Sequence, residues 1–134
     1  MYFEEGKFYV SIKGVILNAR KVLLLRKPTG TWDLPGGRLG VNESPKRCLI
    51  REVHEETSLN VRPGKLLHRW VRHRPGKVDV FLVSHLCKLP DIQAAINLSS
   101  EHDEMGWFTV QEFAALPVTG GIRKSVMKAF NARK

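Results

Sequence analysis

The sequence predicts an α/β fold, a mixed sheet flanked by helices, on three observations. Segments rich in β-branched and aromatic residues alternate with segments of helical periodicity, without an internal repeat or low-complexity linker. One helix, over 45–58, is well marked at its start and on its apolar side. The composition, 43% hydrophobic with three Trp and six Phe, belongs to a chain that buries a core. At 134 residues, one domain spanning 1–134 is expected.

Each element follows from its residues. Strands are predicted over 8–17 and 21–26, and the short link at 18–20 predicts a hairpin. Residues 27–31 contain Pro28 and Gly30 and read as a loop, after which 32–39 extends toward the helix. Ser44 is placed to cap that helix, and Pro45 suits its first position, where a missing N–H costs nothing. Leu49, Ile50, Val53 and Thr57 then fall on one side. Strands over 65–74 and 78–89 are expected around the turn Arg74-Pro75-Gly76-Lys77. Residues 91–103 carry the weakest pattern and read as loop with some helix. A short strand over 105–109, a helix over 110–115 and a basic amphipathic helix over 122–132 complete the chain.

Composition narrows the function classes. No apolar run approaches the roughly 20 residues that cross a bilayer. Met1–Lys7 lacks a basic region followed by an apolar core, so no signal peptide is read and a cytoplasmic location is expected. Cys48 and Cys87 have no metal-like spacing and read as reduced core residues. The formal net charge of +9 and a pI near 9.9 favour polyanionic ligands.

In so basic a chain, the acids are concentrated. Seven of the thirteen lie in two short stretches, four within 43–56 and three within 101–104. Glu52 and Glu56 stand four apart on one helix face, with Glu55 beside them. Like charges at that spacing destabilise an isolated helix by roughly 0.2–0.5 kcal/mol per pair. A cation would relieve the conflict, and hard divalent ions such as Mg2+ or Mn2+ prefer carboxylate oxygens. Arg51 can reach Glu55 or Glu43 and steady a carboxylate. On the Arg-Glu-Val-His-Glu-Glu stretch alone, a solvated acidic helix face would be the simpler reading.

The wider pattern is more demanding. It reads Gly37, five residues, Glu43, seven residues, then Arg51-Glu52-Val53-His54-Glu55-Glu56-Thr57-Ser58-Leu59, after the approach Thr31-Trp32-Asp33-Leu34-Pro35-Gly36-Gly37. This resembles the box of the Nudix hydrolases, in which every charged position is matched here. One position departs: Ser58 stands where the family has a glycine that closes the helix in a left-handed conformation. A serine adopts that conformation at greater cost, so a different helix end is expected. The resemblance implies a Nudix-like α/β/α sandwich with a mixed β-sheet. It also implies hydrolysis of the diphosphate bridge in a nucleoside diphosphate linked to another moiety, with Mg2+ as cofactor and Mn2+ as a possible substitute.

Residue by residue, the resemblance makes Glu52 and Glu56 the foremost metal ligands. Glu55 follows, as ligand or partner of Arg51, and the Gly37 carbonyl is a further ligand. Glu43 is expected to orient Arg51. The general base is Glu52 or an acid outside the box, with Glu101 preferred to Glu104. Arg38, Arg26 and Trp32 are the substrate-side candidates, Arg38 foremost; Trp32 could instead wall the Leu34-Pro35 turn. Between 62 and 77, six basic residues lie with Trp70 and two histidines and no acid, which suits either polyphosphate or RNA contact, or a solvated strand face with Trp70 in the core. A small nucleotide is thus the expected partner, and the protein is expected as monomer or homodimer. Two other readings remain: an RNA 5′-end pyrophosphohydrolase, and a non-catalytic nucleotide-sensing module of the same fold.

Overall fold

Alternate residues of two adjacent strands feed two different cores, and this determines the architecture. The computed structural model describes residues 7–132; the amino-terminal stretch read for a signal peptide lies largely outside them. The elements run β1 (Phe8–Asn18), β2 (Lys21–Arg26), β3 (Trp32–Asp33), β4 (Gly36–Arg38), α1 (Pro45–Thr57), β5 (Arg62–Arg72), β6 (Asp79–Lys88), β7 (Glu104–Phe108), α2 (Val110–Ala114) and α3 (Gly120–Ala132). Ile12, Ile16, Leu23 and Leu25 join Leu49 and Val53 of α1 in one buried cluster. Val15, Leu17, Val22 and Leu24 point the other way, against Phe113 of α2 and Val126 of α3. Strands covered on both faces have no polar alternation to show, which is why β2 reads as an unbroken apolar run.

The sheet is mixed. Its order is β3-β2-β1-β6-β5, with β4 added to β1 and β7 to β2. β1 pairs β6 in parallel and both β2 and β4 antiparallel, so it occupies the sheet's centre. Helices on both sides make an α/β/α sandwich. Among the described residues, no helix is long and apolar enough to cross a membrane. Cys48 and Cys87 are both buried and unpaired with each other. Burial raises their thiols to about 11 and about 12, which leaves them protonated core groups.

Several sequence expectations are corrected. Residues 91–103 contain no helix; backbone bonds to α1 and β2 hold them instead. β5 starts earlier than its pattern suggests, because register shifts near Leu66 break its alternation. Ile50 is 41% exposed, while Cys48 takes its place on the buried side of α1. Ser58 does adopt the left-handed conformation, at φ 67° and ψ 7°, and its N–H reaches the His54 carbonyl at 2.8 Å. The helix therefore ends as it would with glycine, because Leu59 must enter the core immediately afterwards.

Candidate active site

The site forms where three chain segments meet. Ser44 caps α1 by accepting from the Arg47 N–H at 3.2 Å, and Pro45 follows it, which sets the helix's start beside β4. The other end of α1 is tied to the loop ahead of β7. The Asn97 N–H donates to the Thr57 carbonyl at 2.9 Å and the Ser99 N–H to the Glu56 carbonyl at 3.0 Å. These are carbonyls that a helix end leaves without a partner, so meeting them carries Glu101 and His102 to the acidic face. The third segment is the turn 33–37, where the Gly14 N–H holds the Pro35 carbonyl at 2.8 Å.

Together they enclose a pocket of about 670 Å³. Glu52, Glu56, Glu101 and Asp33 provide its acids, with Gly36 and Gly37 beside them. Lys13, Lys27, Arg38 and Arg72 supply its cations. Glu56 is the most constrained of these groups. It is 6% exposed, and its Oε1 accepts from the Gly36 N–H at 2.8 Å. Burial is the main cause that raises its carboxyl to about 7, and Glu52 and Glu101 add to the rise. Gly36 has φ 140°, and a side chain on it would strike the Ile12 carbonyl, so the position requires glycine. At Gly37, the space a Cβ would fill belongs to the Glu52 carboxylate. That glycine is needed for a neighbouring acid as well as for any close approach of an ion.

Arg51 organises the remaining acids. It donates from Nε to Glu43 at 2.7 Å, from Nη2 to Glu43 at 2.9 Å, and from Nη1 to Glu52 at 3.0 Å and Glu55 at 3.1 Å. Glu43 also accepts the Gly40 N–H at 2.8 Å, and these bonds, Arg51's first, pull its carboxyl down to about 2. Glu55 is exposed and lies outside the pocket lining.

Two substrate-side candidates lie away from the pocket. Arg26 is held by Asp103 and Glu104, each at 3.3 Å, because pairing of β2 with β7 puts those acids beside it. Trp32 packs edge-on against Phe108, with ring centroids 5.0 Å apart, on the far core. Neither lines the pocket. Glu104, spent on Arg26, is likewise outside it, whereas Glu101 lines it. Arg38 does line it and lies over the Tyr9 ring at 3.7 Å. Trp70 sits against Gly121 of α3 and stacks on His68, which is the strand-face arrangement rather than an open platform.

Three pocket residues carry no sequence signal of their own. Lys13 lies inside a largely apolar strand, two residues after Ser11, and its Nζ donates to Asp33 at 3.1 Å and to the Leu34 carbonyl at 3.3 Å. Burial acts to raise the Asp33 carboxyl, but Lys13 and Lys27 outweigh it and hold it low. His102 is the third, and its Nδ1 is buried without a partner among the described residues. For Lys13, its place two residues after Ser11, which also lines the pocket, is the clue that the sequence offers.

Comparison with known proteins agrees with this geometry. The NUDIX domain model matches residues 7–130. The chain belongs to the Nudix hydrolase family. It is 30% identical over 105 residues to a MutT-like protein of Streptomyces ambofaciens, covering 77% of this chain and 65% of that one. It is 45% identical over 89 residues to an 8-oxo-dGTP diphosphatase of Proteus vulgaris, covering 60% of this chain and 80% of that one. The crystal structure of a MutT protein from Methanosarcina mazei Go1 superposes with TM-score 0.76 at 26% identity, over 96% of each chain. Of the box acids of this Nudix chain, Glu52 and Glu56 line the pocket and Glu43 and Glu55 do not, while Arg51 bonds Glu43, Glu52 and Glu55 and leaves Glu56 alone.

A hard cation fits the donor set in the pocket. Carboxylate oxygens of Glu52, Glu56 and Glu101 and the main chain at Gly37 are the ligand type that Mg2+ and Mn2+ take. Among the described residues, no three His, Cys, Asp or Glu side chains already converge on one point. Glu52 is turned toward Arg51 and Glu56 toward Gly36, so ion binding would have to compete with those two bonds.

Proposed function

We propose that the chain hydrolyses the diphosphate linkage of a small nucleoside diphosphate derivative in a divalent-metal-dependent reaction. The observation that carries this reading is the buried Glu56, raised to about 7 and faced by Glu52 and Glu101, in a pocket whose wall holds Arg38 and Arg72. Among the described residues neither arginine has a carboxylate partner, so both guanidiniums are free for a polyphosphate. Glu52, Glu56 and the Gly37 carbonyl would hold Mg2+, with Mn2+ as substitute. When bound, the ion would neutralise phosphate oxygens and acidify a water.

The chain's own residues supply the rest. Water adds to one phosphorus and the bridging oxygen leaves with the other phosphoryl group. Glu101 accepts the water's proton; it lines the pocket and no hydrogen bond engages its carboxylate among the described residues. Glu52 is the other base, at the disadvantage of its bond from Arg51. Arg38 and Arg72 fix the phosphates away from the acids. Arg51, saturated by carboxylates, keeps Glu52 in place.

A hydrolysis screen with Mg2+ and with Mn2+ tests the reading. It covers 8-oxo-dGTP, CTP, ADP-ribose, dinucleoside polyphosphates, nucleotide sugars and 5′-triphosphorylated RNA, and identifies the bond cut. Turnover of at least one small nucleotide, abolished by chelation, is expected. Turnover of the RNA alone would move the substrate to RNA ends. No turnover of any compound, with nucleotide binding retained, would make the chain a sensing module.

A further inference from the structure

Among the described residues, the more buried of the two ion pairs on Asp33, that with Lys13, has no part in holding substrate or metal as described so far; the other, to Lys27, is longer at 3.6 Å. Lys13 and Asp33 have side chains 12% and 9% exposed, and their 3.1 Å bridge joins the middle of β1 to the last residue of β3, where the turn starts. Each partner also grips the main chain of that turn. Lys13 donates to the Leu34 carbonyl at 3.3 Å, and Asp33 Oδ1 accepts the Leu34 N–H at 2.7 Å. One residue on, the Pro35 carbonyl is held by the Gly14 N–H at 2.8 Å. The next N–H, of Gly36, is the group that holds Glu56 at 2.8 Å. Five bonds therefore run without a gap from the Lys13 ammonium to the Glu56 carboxylate.

The arrangement has little slack. Gly36 is in a conformation reserved for glycine and lies against the Ile12 backbone, so its N–H direction follows the turn. Packing alone does not require a lysine at 13. Its strand neighbours Ile12 and Val15 are apolar and fully buried, and a buried ion pair is rarely more stable than an apolar pair of similar volume. A charge retained there points to a geometric task.

We propose that Lys13 and Asp33 are positioning residues: they set the Leu34–Gly36 turn so that the Gly36 N–H fixes the direction of the Glu56 carboxylate. This rests on the reading of Glu56 as a metal-side acid. The bonds of the turn to Glu56 are independent of that reading, and the test separates the two.

The variants are Lys13→Met, Asp33→Asn and the double variant, each compared with the unaltered chain. The readouts are the 1H–15N NMR signal of the Gly36 amide without metal, Mn2+ affinity by water-proton relaxation, thermal unfolding, and kcat and KM on the nucleotide found in the screen. In Lys13→Met the Gly36 signal should move, and Mn2+ affinity and kcat should fall by roughly 10–100-fold, with KM little changed. Asp33→Asn leaves the buried Lys13 ammonium without its carboxylate, and Lys13→Met leaves Asp33 with only the more distant Lys27 at 3.6 Å, so both should unfold at lower temperature; the double variant removes both buried charges and should recover much of that loss. Its Gly36 signal, Mn2+ affinity and kcat should stay altered, because nothing then holds the Leu34 carbonyl. Recovery of Mn2+ affinity together with stability would reduce the pair to a structural one and overturn the proposal. So would an unmoved Gly36 signal in Lys13→Met. If even the unaltered chain binds no Mn2+, the metal reading of Glu56 fails, while a moved Gly36 signal still supports the positioning.

Discussion

Glu55 and Glu56 are neighbours in sequence and opposites in setting. Glu55 is exposed on Arg51, inside an ion network that also takes Glu43 and Glu52. Glu56 is buried and held by one main-chain N–H; among the described residues no cation is bonded to it, and the more distant attraction of Lys13, opposed by Glu52 and Glu101, does not offset its burial. The first acid is satisfied by the chain and the second is not. Charge density in the sequence marks both equally, so the decisive property is which charges the fold leaves uncompensated beside a pocket.

The largest test of that contrast is substitution of each. Glu56→Gln should lower kcat by about 10³-fold, the loss of several kcal/mol of charge stabilisation. Glu55→Gln should change it only a few-fold, since its partner Arg51 keeps Glu43 and Glu52. Steady-state kinetics at saturating Mg2+ decides, and equal losses would erase the distinction.

Next in size is a pH effect on stability, measured in chelator. The Glu56 carboxyl is raised from 4.5 to about 7 in the folded chain. Between those values the folded state binds more protons than the unfolded state, so stability falls as pH rises from about 4.5 to 7. The loss should total roughly 3 kcal/mol at most. Thermal unfolding across that window should show the decline, and Glu56→Gln should flatten it. Glu43 is shifted the other way, so its contribution is lost only as pH falls toward about 2.

A smaller effect separates the two kinds of arginine. Arg38→Ala or Arg72→Ala should raise KM by about tenfold, one charge-assisted contact each, with kcat nearly kept. Arg26→Ala should leave KM unchanged, because Asp103 and Glu104 already engage that residue. Smallest is Ser58→Gly. Relief of the left-handed serine should stabilise the chain by about 0.5–1 kcal/mol, read as a rise in melting temperature with activity unaltered.

Much of the fold was legible from local pattern. The N-cap of α1, the hairpin of β1 and β2, and the β5–β6 pair around Arg74–Lys77 all follow from short-range preferences that the tertiary structure does not oppose. The 91–103 segment was misread because its backbone bonds go to α1 and β2, partners far away in sequence. Arg26 and Trp32 lie away from the pocket for a related reason. Both look available in sequence, and both are taken by β7, whose pairing with β2 no local pattern announces.

The sequence by itself determined the chemistry: the acids, their helix and the glycines beside them are fixed by residue type and spacing along one segment. Only the tertiary structure decided which acids are spent and which remain free. It brought Glu101 to Glu56 through the unpaired carbonyls at the end of α1, and Lys13 to Asp33 across the sheet. Spacing sets position along a helix, but burial and compensation depend on what the rest of the chain folds against it.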